Sequence, residues 1–276
     1  MKNLEKKLKR IAIEVRKLVI EVANKSRSAH VGPTFSCVDI LVYLYFHELR
    51  IDESQFESRD IFVLSKAHAA MGLYAVLNRK GFLDEKKFWG YYGNDGTLPA
   101  HLDRSTNKWI ETSGGSLGHG FNIALGMAHG YKLKGDKRNV YTLIGDGESQ
   151  EGSIWEGALF APKLGIDNIP VILDRNDMQG YGRPSEICSY EDIGGKWRAF
   201  GWEVYRINGH NFMEINNTFK KNNNGKPKII IANTIKGKGV SFMEDEQKWH
   251  YYIVTDELKE NALTELNKEY SANYDY

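Results

Sequence analysis

The segment VYTLIGDGESQEGSIWEGALFAPKLG, residues 140–165, carries the pattern from which the fold of this chain can be predicted. It opens with an apolar run at 140–144, passes through the glycine turn GDG, and continues as a helix-length stretch at 149–164. This order predicts a strand, a tight turn and a helix. The turn also places a carboxylate, Asp146, just past the end of the strand, where a charge is costly to bury without a partner.

The alternation of strand and helix continues on both sides of this segment. Apolar runs rich in β-branched residues predict further strands at 60–65, 169–174, 202–207 and 227–233. Helices are predicted at the N-terminus and at 37–49, 66–81, 190–200 and 211–221, whereas SAHVGPTFS (28–36) is interpreted as a loop. Strands that are apolar on both faces and alternate with helices are typical of a covered parallel sheet. The expected fold class is therefore α/β, a doubly wound parallel sheet with helices on both faces, in a single domain over residues 1–276.

The composition is that of an ordinary globular protein. Hydrophobic residues make up 41% of the 276 residues, and Lys+Arg 37 against Asp+Glu 36 leaves a net charge of +1. So small a charge attracts neither nucleic acid nor a membrane surface, and the short basic stretch 220–228 is interpreted as a solvated loop. The two cysteines, Cys37 and Cys188, are far apart, which fits a reducing compartment, although one disulfide between them stays possible.

The N-terminal segment is basic and then apolar, as a signal peptide would be. Its apolar residues, however, recur every three or four positions among charged ones, and no small-residue cleavage site follows. This spacing predicts an amphipathic helix with one buried stripe. No apolar run is long enough to span a bilayer, so we expect a cytoplasmic protein.

Asp146 and Asn176 each come just after a predicted strand. If the helix at 149–164 is a right-handed crossover, the two strands run parallel as neighbours, and both side chains face one crevice at the sheet edge where ligands bind. Carboxylate, amide and backbone carbonyl oxygens suit Mg²⁺ or Ca²⁺, and Mg²⁺ commonly completes its shell with phosphate. The crevice therefore predicts a metal that holds a diphosphate. An isolated GDG has a simpler interpretation, a turn before a helix start at which Ser149 and Glu151 are suitable residues.

These residues and their neighbours resemble the thiamine diphosphate-dependent transketolases. GDG with a following glutamate, and an asparagine after the next strand, is similar to the thiamine diphosphate signature of that family. Seven motifs occur in family order over roughly residues 26–250: SAHVGP, LSKAHAAMGLYAVL, LPAHLDR, ETSGGSLGHGFNIALGMA, GDGESQEGSIWEGALFAPKLG, DRNDMQGYG and NTIKGKGVSFMEDEQKWH. One such motif would be weak support, whereas seven in order are specific.

The resemblance implies thiamine diphosphate and Mg²⁺ as cofactors, with Ca²⁺ or Mn²⁺ as possible substitutes for the metal. Asp146, Asn176 and the backbone carbonyl of Met178 are the implied metal ligands. His68 and His250 resemble the histidines that bond the diphosphate. His30 and His101 resemble those that line the substrate channel, and with His250 they are expected to handle protons and substrate hydroxyls.

The resemblance implies roles for several further residues. Gly115, Leu117 and Gly147 are expected against the cofactor, with Gly118 and Gly120 allowing close approach of the backbone. Glu151 and Glu156 match acids that communicate with the pyrimidine ring and across a subunit interface. From the sequence alone, Glu156 would be a solvated charge.

In the transketolase family, a second domain supplies the glutamate that polarises the pyrimidine. Only 26 residues follow His250 here, a short tail that is too small for another α/β domain. The resemblance therefore implies the N-terminal, diphosphate-binding subunit of a two-component transketolase, which transfers a two-carbon ketol unit between sugar phosphates. The pyrimidine-binding domain would come from a C-terminal partner subunit, in a heterotetramer.

Departures from the family pattern leave the substrate open. Val31 follows His30 where many full-length transketolases have a proline, and His119 stands where many have glutamine, as in separately encoded N-terminal halves. A deoxyxylulose-phosphate synthase-like or 2-oxoacid dehydrogenase-like subunit would share the metal site, and a non-catalytic paralogue would keep the fold. A dinucleotide-binding oxidoreductase is disfavoured, because no apolar strand precedes the glycines of GGSLGHG and no acidic ribose ligand follows.

Overall fold

A computed structural model describes residues 2–188 and 191–274, and a five-stranded parallel sheet forms its centre. The strands are β1 (Ile61–Leu64), β2 (Val140–Gly145), β3 (Pro170–Arg175), β4 (Glu203–Asn208) and β5 (Lys228–Asn233). Their order across the sheet is β1-β2-β3-β5-β4, and each neighbouring pair is parallel. The predicted parallel α/β sheet is confirmed, with strand ends within one residue of those predicted.

Helices cover both faces of this sheet. They are α1 (Lys2–Ser26), α2 (Val31–Tyr43), α3 (Ala70–Lys80), α4 (Glu85–Trp89), α5 (His119–Leu133), α6 (Gly152–Lys163), α7 (Pro184–Ile187), α8 (Ile193–Ala199), α9 (Phe212–Phe219) and α10 (Asp256–Tyr274). Because strand side chains alternate between faces, Phe62 and Leu143 pack with α1, α2 and α3, whereas Ile61 and Val171 pack with α5, α6 and α8. The sheet is thus buried between two apolar cores.

Two sequence predictions about burial and the C-terminus need correction. Strand β4 is not apolar on both faces: it lies at the sheet edge, and Arg206 on it is exposed. The residues after His250 are more than a short tail, since they include α10, which packs on α1 and buries Leu266. The predicted amphipathic helix at the N-terminus is confirmed as α1.

The interpretation of 28–36 as a loop was wrong from Val31 onward, where α2 begins. His30 precedes the helix with a left-handed backbone (φ 71°), and Pro33 lies in the first turn, where its missing N–H removes no helical hydrogen bond. The predicted helix 37–49 is the rest of α2 plus a π-helical turn, Leu44–Glu48. In the predicted helix 190–200, α8 begins at Ile193, and Tyr190 lies outside the described residues.

The two cysteines are free thiols, Cys37 buried and Cys188 exposed. Within residues 2–188 and 191–274, no helix has the length and apolar character needed to cross a membrane.

Candidate active site

The carboxyl ends of four strands form one polar edge. Strand β1 leads into Lys66 and β2 into Asp146, while β3 leads into Asn176 and β5 into Lys236. Strands β2 and β3 are hydrogen-bonded neighbours, as the crossover argument predicted, and both Asp146 and Asn176 line a cleft of about 400 Å³. The two side chains are nearly buried, with exposed fractions of 3% and 7%.

A buried ion pair underlies this cleft. The Lys66 ammonium donates to Asp174 Oδ2 at 2.5 Å and to the Pro33 carbonyl at 2.9 Å, and both charged side chains are essentially inaccessible. Ser36 and Thr234 donate to the same carboxylate. Although burial disfavours a charged lysine, Asp174 holds the pKa of Lys66 above its ordinary value. Sequence reasoning missed this pair, since Asp174 was simply the last residue of a predicted strand.

A second buried lysine determines the state of His250. Lys236 Nζ lies 3.0 Å from His250 Nδ1. An ammonium only donates, so Nδ1 is the acceptor and the ring proton is on Nε2. Burial, with Lys66 next, lowers the pKa of Lys236 to about 8. His250 lines the cleft. In this tautomer, His250 therefore offers a ligand in the cleft its Nε2–H as a donor and not a lone pair.

Four of the predicted histidines form one cluster. The His30 ring centroid lies 5.7 Å from His68, 5.8 Å from His101 and 5.4 Å from His250. Burial, followed by the neighbouring His101, lowers the pKa of His30 to about 4, and burial with Lys236 lowers that of His250 to about 3. The pKa of His68 is also well below its ordinary value, chiefly because of burial. These three imidazoles are neutral at physiological pH.

Glu148, to which the sequence analysis gave no role, ties three segments together. Its carboxylate accepts from the Ser65 hydroxyl at 2.5 Å, from the Gly118 amide at 2.9 Å and from the Gly145 amide at 3.3 Å. Burial raises the pKa of this carboxyl group. Glu148 therefore joins the ends of β1 and β2 to the glycine loop before α5. The sequence feature that could have identified Glu148 was its position among the acidic residues of GDGESQE.

The structure brings only some of the other predicted site residues to the cleft. Of these predicted residues, the ones that line the cleft with Asp146 are His68, Leu117, Gly147, Glu151, Met178 and His250. Gly115 instead faces the His101 ring, and both Gly118 and Gly120 pack closely on protein, against Ser153 and Ser65. Glu156 is exposed and lies in a separate groove between α5 and α6, so the structure does not bring it to the cleft.

The cleft suits a metal-bound diphosphate. Among residues 2–188 and 191–274, no three His, Cys, Asp or Glu side chains converge as a metal site. Asp146 and Asn176 offer hard oxygen donors, so a cation there would take its other ligands from backbone or from a bound molecule. Lys66, His68 and His250 line the same cleft and favour an anion. A diphosphate satisfies both requirements, because its oxygens bind metal and also accept hydrogen bonds from the donors of the cleft.

Comparison with known proteins agrees with this geometry. The family model described as "Transketolase, thiamine diphosphate binding domain" matches residues 7–275. The chain is 39% identical to one of the subunits of the apulose-4-phosphate transketolase of Actinobacillus succinogenes, over 97% of each chain. It is 40% identical to a 6-deoxy-6-sulfo-D-fructose transketolase subunit of a Clostridium species, over 92% of this chain and 94% of that one.

A solved structure gives the same fold. The transketolase of Campylobacter jejuni is 30% identical and superposes with a TM-score of 0.86 over 94% of this chain. This chain covers 42% of that protein, less than half of its length.

Proposed function

Since the chain belongs to the transketolase family, whose thiamine diphosphate-binding domain it matches, we propose that it is the N-terminal subunit of a two-component transketolase. The complex transfers a two-carbon ketol unit from a ketose phosphate to an aldose phosphate. The cleft that combines Asp146 and Asn176 with buried cationic and imidazole groups carries this proposal.

In this proposal, Asp146, Asn176 and the Met178 carbonyl hold Mg²⁺, for which Ca²⁺ or Mn²⁺ can substitute. His68 and the Nε2–H of His250 bind the diphosphate, and the charge of the buried Lys66 lies beneath the cleft. Leu117, Gly147 and Glu151 border the cofactor. When bound, thiamine diphosphate supplies a carbon nucleophile at C2 of its thiazolium ring.

The histidine cluster provides the proton chemistry. His30 is neutral and partly accessible, so it can accept a proton or a hydrogen bond from a substrate hydroxyl, whereas His250, whose Nδ1 accepts from Lys236, offers its Nε2–H as a donor. His101 lies against His30, with ring centroids 5.8 Å apart. We assign His30, His101 and His250 to the handling of substrate protons and hydroxyls.

A partner chain supplies the remainder of the active site. The Actinobacillus succinogenes and Clostridium relatives match over nearly their whole length and are named as subunits, which supports a separately encoded pyrimidine-binding domain. We propose a cytoplasmic heterotetramer with two copies of each subunit. The relatives are named for different sugars, apulose 4-phosphate and 6-deoxy-6-sulfo-D-fructose, so the substrate class is stated here only as sugar phosphates.

Reconstitution tests this proposal. The chain is purified alone and together with a candidate C-terminal transketolase subunit from the same organism, and ketol transfer from hydroxypyruvate to ribose 5-phosphate is measured with thiamine diphosphate and Mg²⁺. We expect activity only from the complex. Robust transfer by the chain alone, without a co-purified partner by mass spectrometry, would overturn the two-component assignment. A complex that binds the cofactor but converts pyruvate instead would identify another thiamine enzyme.

A further inference from the structure

A second cavity, of about 430 Å³, adjoins the histidine cluster. His30 and His101 line this cavity, whereas His68 and His250 line the cleft with Asp146. The His30 ring lies within 5.8 Å of each of the other three. A substrate that reacts at the histidine cluster can therefore extend its remaining atoms into the second cavity.

The second cavity has more apolar than polar surface, and the polar groups of the described residues that line it are uncharged hydroxyls and imidazoles. Besides the two histidines, its lining includes the buried side chains of Ser28 and Tyr91 and the half-exposed ring of Tyr92. Burial raises the pKa of Tyr91 to about 12, so its phenol stays neutral. No lysine, arginine or acid is among the described residues that line the cavity. Hydroxyls, imidazoles and aromatic faces suit a neutral polyhydroxy chain better than a phosphate.

Tyr92 is held in this cavity by a constrained loop. Its backbone is left-handed (φ 51°), a conformation that is unfavourable for a residue with a Cβ atom. The Tyr92 N–H donates to the Leu98 carbonyl at 2.9 Å, and Gly96 packs so closely on Gly90 that a Cβ has no room. Yet 57% of the Tyr92 side chain is exposed, so burial of the ring does little to offset the strain.

We propose that this cavity is the subsite for the sugar chain beyond the reacting carbons, and that Tyr92 is a specificity-determining residue within it. The ring packs on the C–H face of the chain, and the phenol hydrogen-bonds one of its hydroxyls. The inference rests on the proposed transketolase function. It assigns discrimination among sugar chains to this subunit, whereas the terminal phosphate is bound elsewhere in the complex.

The test uses the complex of this chain with its partner, and it compares two kinds of donor with one acceptor, glycolaldehyde. Hydroxypyruvate donates the ketol unit but has no sugar chain, whereas a panel of five- to seven-carbon ketose phosphates has one. The variants are Tyr92→Gly, which suits the left-handed backbone, and Tyr92→Phe, which removes only the hydroxyl. Tyr205→Ala on β4, outside both cavities, is the matched control.

We expect Tyr92→Gly to lower kcat/KM roughly 10- to 100-fold for the best ketose phosphate, mainly through KM, and Tyr92→Phe to cause a smaller loss. The hydroxypyruvate reaction should change less than about two-fold, because its donor does not fill the subsite. Equal losses with both donors would overturn this inference alone, whereas a wild-type complex that uses hydroxypyruvate but no ketose phosphate would also contradict the ketose phosphate donor of the proposed function. A wild-type complex inactive with hydroxypyruvate would overturn the proposed function and this inference with it.

Discussion

Lys236 Nζ lies 3.0 Å from His250 Nδ1, so the lysine that follows β5 determines which nitrogen of the cleft histidine carries the proton. The two residues have different roles. The lysine is almost inaccessible (1% exposed), and the histidine lines the cleft. The pair thus combines a buried positive charge with an accessible N–H donor, an arrangement that favours an anionic ligand.

Replacement of Lys236 should weaken cofactor binding. Lys236→Met removes the charge and leaves the tautomer of His250 undetermined, so we expect thiamine diphosphate affinity in the assembled complex to fall roughly 10- to 100-fold. Calorimetry at saturating Mg²⁺ measures this, with Lys220→Met at the exposed end of α9 as the control. Equal affinities of the Lys236 and Lys220 variants would remove Lys236 from the diphosphate site.

Replacement of Asp146 should abolish tight binding of metal and diphosphate together. Asp146→Ala removes the anionic ligand of a site with few protein donors, so we expect the affinity to fall at least roughly 100-fold. Asn176→Ala should lose less affinity, because it removes a neutral ligand. Titration of the complex with Mg²⁺ and thiamine diphosphate measures both variants. Glu260→Ala, on the exposed surface of α10, should bind like wild type. Unchanged affinity in Asp146→Ala would contradict the metal assignment.

His101 should affect turnover more than cofactor binding, because it lines the second cavity and not the cleft that contains Asp146. We expect His101→Ala to lose about 100-fold or more in kcat while its affinity for thiamine diphosphate stays within about three-fold of wild type. Steady-state kinetics and calorimetry on the same preparation separate the two effects. Collapse of cofactor affinity, with donor cleavage by bound cofactor retained, would reverse the assignment.

The sequence predicted those parts of the site that follow from strand ends. Asp146 and Asn176 could be paired because a right-handed crossover makes their strands neighbours, and Gly145 at the end of β2 is indeed in register with Asp174 on β3. The buried Lys66–Asp174 pair could not be predicted, since nothing in the local pattern indicates which distant residue faces a buried charge. The start of α2 was missed because Gly32 and Pro33 resemble turn residues, whereas tertiary packing makes them the first turn of a helix.

Stability should fall as the pH falls through the ordinary range of histidine. His30 and His250 have pKa values of about 4 and 3 in the folded chain against an ordinary 6.5, and that of His68 is also well below 6.5. Between about pH 6.5 and 4 the unfolded chain therefore binds protons that the folded chain does not, so stability rises with pH and is lost on acidification. Each histidine contributes at most about 1.4 kcal/mol per pH unit, and less than that because all three are partly solvated.

Urea denaturation of this chain at pH 7 and pH 5 measures the effect. Substitution of the three histidines by glutamine should reduce the dependence of the unfolding free energy on pH over this interval. The same pH dependence in wild type and in the triple variant would show that the cluster does not carry the effect.

The Lys66–Asp174 pair should matter for stability as well as for binding. Lys66→Met leaves the Asp174 carboxylate buried without its cation, which for a buried pair costs about 3–5 kcal/mol of unfolding free energy. Adding Asp174→Asn to that variant removes the unpaired buried charge, and the amide oxygen can still accept hydrogen bonds from Ser36 and Thr234. The double variant should therefore regain part of the lost stability.

Chemical denaturation of the four proteins of this cycle measures the coupling, with Lys163→Met on the exposed side of α6 as the control for losing a lysine. Additive losses in the double variant would show that the two residues act independently, and that the cleft does not depend on their ion pair.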